Sequence, residues 1–355
     1  MSLLNCNRMN ILPDKIADFS NRCLARAGVP SGEAALITRT LVEADARGIH
    51  SHGVMRLPLY ISRMQKELNR ASAKIETVRD DAATALVDAH YSAGQIAGVR
   101  AMELAMAKAE EFGVGMVVVR NSNHFGIAAH YAMMAAEKNM IGIAATNTTP
   151  LMPPTGGAEK VLGNNPLAIA APSAGTFPIL LDMAMSNAAL GKILHAKTTG
   201  ASIPEGWGAD QGGSPTTDPA AVLNGGFMLP VGGPKGFGLA FMIELLTGVL
   251  GGVQFSKTLP SMYDLGQKQS VSHFMLAIDV ARFIEIGLFK QLAAQLSGYV
   301  KNAVKAEGVT ELYQPGEIEF RKEKERMETG IPIDAKVVEE LNTLAESLGV
   351  PALTL

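Results

Sequence analysis

The segment Gly115-Met116-Val117-Val118-Val119-Arg120 sets the frame, because its four central side chains are apolar without alternation. Such a run reads as a strand buried on both faces, so the chain must fold in layers around it. Residues 85–87 give a short strand and 97–112 an alanine- and methionine-rich helix. A helix at 127–139, a strand at 141–145 and strand-like runs at 167–171 and 178–182 follow. The alternation predicts an α/β body with at least partly parallel pairing, in which Met102, Met106, Met133 and Met134 fill the core. A dinucleotide-binding fingerprint is missing. Gly113 and Gly115 precede their strand, no third glycine opens a helix, and no Walker sequence occurs. A nucleotide would have to be held by another geometry.

The flanks differ in character from this body. Residues 14–27, 31–47 and 57–68 carry apolar side chains at helical spacing, with Ser31 expected as an N-cap and Glu33 in the first turn. The change of character falls near residue 75. Beyond the body, 274–280 is expected as the last strand, and 283–304 and 334–348 as helices. A chain of 355 residues has room for two domains. With 47% hydrophobic and 18% charged residues it is globular, and its net charge of −3 offers no basic surface for nucleic acid. Cys6 and Cys23 make neither a disulfide framework nor a metal-ligand spacing. Residues 1–8 lack a signal-peptide core, and the greasy run 239–253 is short and contains Glu244, so no membrane span is expected. The expectation is a soluble, cytoplasmic protein.

Chemistry concentrates where the second helix stops. Asp45-Ala46-Arg47-Gly48-Ile49-His50-Ser51-His52-Gly53-Val54-Met55-Arg56 gathers an acid, two histidines, a serine and two arginines. Gly48 ends the helix and leaves the cluster on a loop or short turn. Arg56 follows His52 by four residues, so in a helical turn the two share a face. A guanidinium grips a carboxylate while an imidazole exchanges a proton with a neighbouring oxygen, and Ser51 adds a hydrogen bond. The pattern alone leaves open whether His50 or His52 is the proton donor. A histidine at a helix end is also often a cap or a packed core residue.

Further polar islands follow the strands. Asn121-Ser122-Asn123-His124-Phe125-Gly126 and Thr146-Asn147-Thr148-Thr149-Pro150 each lie after a strand, a natural ligand-binding position. Gly163-Asn164-Asn165-Pro166 is a glycine- and asparagine-rich connection that ordinary turn chemistry also explains. Gly232-Gly233-Pro234-Lys235-Gly236-Phe237-Gly238 opens an apolar helix over 239–250, where free N–H groups and Lys235 suit a phosphate.

Taken together, the blocks at 47–53, 121–126, 163–168, 181–184 and 234–236 resemble those of the malate/L-lactate dehydrogenase family of the non-Rossmann type, in order, from about residue 10 to about 345. That family includes sulfolactate and ureidoglycolate dehydrogenases and reductases for diketogulonate and cyclic imines. The resemblance implies an oxidoreductase using NAD or NADP on a small carboxylate substrate, usually as a homodimer. It puts the proton donor/acceptor on His52, substrate binding on Ser51 and Arg56, and keeps His124 as a second catalytic candidate that also borders the cofactor. Thr148, Asp182, Met183, Pro234, Lys235 and Gly236 fall on cofactor-contact blocks, and Gly316 in Pro315-Gly316-Glu317 on a late nucleotide-contact element. The implied fold is a mixed-sheet α/β body, residues 76–281, with a discontinuous helical domain, residues 1–75 plus 282–355. Malate or lactate is the expected substrate. Alternatives are a cyclic imine or ureidoglycolate, a metal-dependent lyase or hydrolase built on His50, His52 and His124, or a silent nucleotide-binding relative.

Overall fold

The computed structural model describes residues 8–354; Cys6 lies outside the described residues. The chain opens with strand β1 (Arg8–Ile11) and helices α1 (Pro13–Arg26) and α2 (Ser31–Ala46), then two 3-10 turns, His50–His52 and Val54–Arg56, and helix α3 (Leu57–Gln65). Ser31 is not the N-cap expected of it. Pro30 occupies that place and no side chain caps the helix, because Ser31 is already its first residue. Gly48 does end the helix, at φ 86°, a left-handed conformation that favours glycine.

The body continues as β2 (Glu76–Asp81), β3 (Thr84–Asp88), α4 (Gly94–Phe112), β4 (Val114–Ser122), α5 (Ala128–Glu137), β5 (Met140–Thr146), β6 (Leu167–Ala171) and β7 (Ile179–Met183). Next come α6 (Leu190–Thr199), a small sheet of β8 (Gly208–Ala209), β9 (Pro215–Thr216) and β10 (Phe227–Met228) interrupted by α7 (Pro219–Leu223), and α8 (Pro234–Glu244), which runs into a π turn at Leu245–Val249. The chain closes with β11 (Val271–Asp279), α9 (Ile286–Lys301), α10 (Glu317–Thr329), β12 (Ile331–Asp334) and α11 (Ala335–Leu348).

The seven-stranded sheet has the order β2-β3-β4-β11-β5-β6-β7. Only β3–β4 is parallel, so the expected parallel pairing is confined to one ladder and the sheet is mixed. The segment expected as the last strand, β11, is inserted in the centre of the sheet, and β12 still follows it. Side chains sort by the strand period of two. Val117, Val119, Ala144, Met275 and Ala277 face a core with α4 and α5, which Met102 and Met133 also fill. Val118, Ala145 and Phe274 face a second core with α8. Helices cover both faces, as the unalternating valines require.

One row across the sheet decides how closely the helices approach. Ala277 pairs with Gly115 on one side and Gly142 on the other, and Gly142 pairs with Ala170. A Cβ on Gly115 would lie 2.0 Å from the Ala105 carbonyl of α4, and one on Gly142 2.3 Å from the Ala132 carbonyl of α5. Both helices rest directly on glycine.

A third core joins the two ends of the chain. Ile11, Ile16, Phe19, Leu41, Leu57 and Ile61 pack with Ile331, Ile333, Val338, Leu341 and Leu348, and β1 pairs antiparallel with β12, Ile11 opposite Ile331. Helix α9 lies outside this core and touches the β6–β7 connection, where Ala174 N donates to the Lys290 carbonyl at 3.1 Å. No helix among the described residues is long and apolar enough to cross a membrane.

Gly142→Ala should destabilise the fold by about 1–3 kcal/mol, the usual cost of overpacking, seen as a lower midpoint in thermal unfolding. An unchanged midpoint would mean that α5 shifts away from the sheet at no cost.

Candidate active site

The end of α2 shapes the polar cluster through one carboxylate. Asp45 is 2% exposed and accepts from Val54 N at 2.7 Å and from His50 Nδ1 at 2.8 Å. It therefore ties together the two 3-10 turns on either side of Gly53. Burial raises the Asp45 pKa, against the lowering effect of its partners. Gly53 must be glycine at this point, since a Cβ there would lie 2.1 Å from the Asp45 carboxyl carbon. Arg326 of α10 donates to the Asp45 carbonyl at 2.8 Å and lies 3.4 Å from His50 Nε2. His50 is thereby turned onto Asp45 and Arg326. It is absent from the lining of the cleft beside it, whereas Ser51, His52 and Arg56 line it.

Within that cleft the rings are ordered. His52 and His124 stack with centroids 5.2 Å apart and planes at 25°. Ser51 Oγ lies 2.8 Å from His52 Nδ1. Burial and then the Arg56 charge hold the His52 pKa down to about 4, so the ring is neutral at pH 7. His124 is likewise held well below the usual range, by burial first and then by His52 and Arg56. Its Nδ1 receives Tyr60 Oη at 2.6 Å and Gly126 N at 3.3 Å. A backbone N–H only donates, so Nδ1 is the acceptor and the proton of neutral His124 sits on Nε2. Burial keeps the Tyr60 phenol protonated, its pKa pushed upward.

The helical face expected for His52 and Arg56 is interrupted at Gly53, whose extended backbone separates the two turns. Both side chains still reach the cleft, and Arg56 Nε donates to the Ser51 carbonyl at 2.6 Å. Arg56 Nη1 also donates to Tyr263 Oη, and its guanidinium lies 5.7 Å from that ring's centroid.

The opposite wall comes from the body. The cleft encloses about 570 Å³, with Thr148, Asn164, Asp182, Met183, Leu151, Leu180 and Gly316 in its lining. Thr148 is fixed from behind. Its N–H donates to Asn165 Oδ1 at 2.9 Å and its hydroxyl to Asn164 Oδ1 at 3.0 Å. Asn165 in turn donates to Glu244 Oε2 at 2.6 Å, and Asn147 to Glu244 Oε1 at 3.2 Å. Asp182 accepts from Ala129 N at 3.3 Å at the start of α5. Burial raises its pKa to about 6, with Arg47 opposing. Gly316, at φ 84°, brings the chain beside Leu180, whose N–H donates to the Pro315 carbonyl at 3.2 Å.

Of the residues singled out in the sequence, Ser51, His52, Arg56, His124, Thr148, Asp182, Met183 and Gly316 thus share one cleft. Pro234, Lys235 and Gly236 are not part of its lining. Just before their turn Val231 N donates to the Met185 carbonyl at 2.9 Å, and Lys235 is exposed. Sequence reasoning missed Tyr60, Tyr263 and Glu244. Tyr60 had a faint signal, since it follows Arg56 by one helical turn, and Glu244 stands as the lone acid in the apolar run 239–253; Tyr263 had none.

The sequence matches the malate/L-lactate dehydrogenase family over residues 11–342. The chain belongs to that family. It is 40% identical to the malate dehydrogenase of Pyrococcus horikoshii over 354 residues, 98% of each chain. It is 40% identical to the L-sulfolactate dehydrogenase of Methanocaldococcus jannaschii over 327 residues, 92% of this chain and 94% of the relative. The solved malate dehydrogenase of Entamoeba histolytica superposes with a TM-score of 0.93 at 31% identity, covering 97% of this chain and 99% of that one. The family's mixed α/β fold is therefore shared along nearly the whole length.

Gly53→Ala should push the Asp45 carboxylate aside and misplace His52. Turnover should fall by about two orders of magnitude, the scale of a 1 Å misplacement, while NADH affinity in a fluorescence titration stays within about twofold. Normal turnover would show that the two turns do not depend on Asp45.

Proposed function

We propose that this chain is an NAD(P)-dependent oxidoreductase that moves a hydride between a nicotinamide and the alpha carbon of a small 2-hydroxy or 2-oxo acid, such as malate or lactate. The observation that carries the reading is the single wall on which Ser51, His52, Arg56 and His124 meet. The family relatives named malate and sulfolactate dehydrogenases support the substrate class.

The cleft suits a dinucleotide without a Rossmann loop. Leu151, Leu180 and Met183 offer apolar surface, and the Asp182 carboxylate keeps acceptor capacity for a ribose hydroxyl beyond its one bond from Ala129 N. Thr148, Asp182, Met183 and Gly316, with His124 at the border, would hold the cofactor. When bound, the nicotinamide supplies or takes up the hydride. The remaining work falls to side chains. Arg56 binds the substrate carboxylate through charge-assisted hydrogen bonds. His52, neutral at pH 7, takes the hydroxyl proton during oxidation and returns it during reduction. A carboxylate on Arg56 offsets one of the two causes that depress the His52 pKa, so substrate binding raises it toward the working pH. His124, with its proton on Nε2, donates a hydrogen bond to the reacting oxygen. The two bonds into its Nδ1 favour His52 over His124 as proton acceptor.

The same reading includes the two-part division of the chain, 1–75 plus 282–355 around 76–281, a cytoplasmic location, and a homodimer. Exposed Leu239, Phe241, Met242, Val249 and Leu250, on α8, its π turn and the residue after it, support the homodimer.

The test is NADH and NADPH oxidation with a panel of 2-oxo acids and cyclic imine carboxylates. Turnover of a 2-oxo acid is expected; turnover of none of them would refute the assignment. His52→Ala should lower kcat roughly 10²–10⁴-fold, and Arg56→Ala should raise KM roughly ten- to a hundredfold, the worth of a charged hydrogen bond. For 2-hydroxy acid oxidation, the base must be unprotonated in the free enzyme. With cofactor saturating, so that Asp182 is already engaged, the logarithm of kcat/KM should therefore stay level from neutral pH downward and bend only near pH 4. A bend near the ordinary histidine value of 6.5 would contradict the assignment of His52.

A further inference from the structure

The loop between the π turn and β11 is held by an arginine that the chemistry above does not use. Arg63, on α3 one turn beyond Tyr60, is 1% exposed. Its Nη1 donates to the Met262 and Asp264 carbonyls, both at 3.0 Å, its Nη2 to the Gln267 carbonyl at 3.5 Å, and its Nε to Asn69 Oδ1 at 3.1 Å. One guanidinium thus pins the backbone on both sides of Tyr263. The loop's base is tied as well. Gln269 Nε2 and Thr149 Oγ1 both donate to the Pro260 carbonyl, at 2.6 and 2.9 Å, and Met262 packs against the core shared by the chain ends. Such fixation of backbone at the rim of a cleft costs a buried guanidinium. It holds in place a tyrosine whose own side chain is 53% exposed.

The phenol meets the arginine proposed to take the substrate. Arg56 Nη1–H donates into Tyr263 Oη, which occupies a lone pair of the phenol and leaves its hydrogen to be donated elsewhere. Among the described residues that hydrogen has no acceptor. Ser261, Met262, Tyr263 and Gln269 line the same cleft as His52 and Arg56. A carboxylate entering beside Arg56 would find a second, neutral donor already oriented by the first.

We propose that Tyr263 is a substrate-binding residue, the second donor of a carboxylate clamp completed by Arg56, and that residues 260–270 form the specificity loop of this enzyme with Arg63 as its positioning residue. The proposal rests on the reading of the cleft as a 2-hydroxy-acid site. It assigns the loop to recognition of the group beside the reacting carbon, a task for which rigidity serves better than motion.

The test is Tyr263→Phe, which keeps the ring and removes only the hydroxyl. Oxamate, a 2-oxo acid analogue that is not reduced, is titrated into the enzyme–NADH complex, and steady-state kinetics are measured in parallel. Oxamate should bind about tenfold more weakly to the variant, the worth of one hydrogen bond to a charged group. KM for the 2-oxo acid should rise by a similar factor, with kcat and the NADH dissociation constant within about twofold. Equal oxamate affinity in the two proteins would overturn the role of Tyr263, as would a loss of NADH affinity matching the loss of oxamate, which marks a merely structural residue. Absence of oxamate binding to the unmodified enzyme would overturn the clamp itself. Oxamate binding that weakens in the variant, from an enzyme that reduces no 2-oxo acid, would uphold the clamp and refute the parent reading instead.

Discussion

The wall of the cleft that carries His52 and Arg56 depends on a buried carboxylate that never reaches it. Asp45 sits at the end of α2 and accepts from His50 on one side of His52 and from Val54 on the other. Removing a carboxylate from water is unfavourable, and the raised pKa of Asp45 records that penalty. Two short hydrogen bonds, with the Arg326 guanidinium nearby, offset it. In return two single 3-10 turns, which would not persist alone, present Ser51, His52 and Arg56 in one register. Because Arg326 comes from α10, the far end of the chain takes part in holding the first reactive segment. The shared core of β1, β12, α1 and α11 brings that end into reach.

The opposite wall of the cleft is built on the same plan from a different set of residues. Glu244, 4% exposed, draws in the side-chain amides of Asn147 and Asn165 and the N–H of Ser256. Asn165 then fixes Thr148 at the cleft. The helix that carries Glu244 widens into a π turn immediately afterward, a distortion often found beside functional sites. Opposite it, the glycine row through Gly115 and Gly142 lets α4 and α5 sit directly on the sheet. That close packing brings the N-terminus of α5 to Asp182. In both walls a buried acid orders polar neighbours, and those neighbours position the groups that face the cleft.

Sequence separation decided how much of this was legible. The His52–Arg56 pair and the end of α2 at Gly48 are local and could be read directly. Of the main sheet's seven strands, all but β2 were found, but their pairing was not. Alternation along the chain does not reveal that β11, after a long excursion, enters between β4 and β5 and pairs antiparallel with both. Tyr60 meets His124 across 64 residues, Asn147 meets Glu244 across 97 and Arg56 meets Tyr263 across 207. Contacts of that span leave no spacing pattern. The Gly163-Asn164-Asn165 block shows the opposite difficulty. Its composition suits a simple turn equally well, yet a Cβ on Gly163 would lie 2.2 Å from Thr148 Oγ1, so the glycine serves the cleft. Lys235, read as a phosphate partner from its glycine-rich setting, is exposed and not part of the cleft lining.

In the reaction proposed for this cleft, a hydride passes directly between nicotinamide and the alpha carbon of a carboxylate-bearing substrate, with His52 handling only the proton. The measurement closest to it is the fate of deuterium from NADH, or NADPH, labelled at the nicotinamide C4 position, tracked by mass spectrometry of the product. Direct transfer predicts one deuterium on the alpha carbon of the 2-hydroxy acid when cofactor carrying deuterium at both C4 positions is used in ordinary water. It predicts none there from deuterated water with unlabelled cofactor. A product whose alpha carbon takes its hydrogen from water would contradict direct transfer and, with it, the division of labour assigned to the two walls.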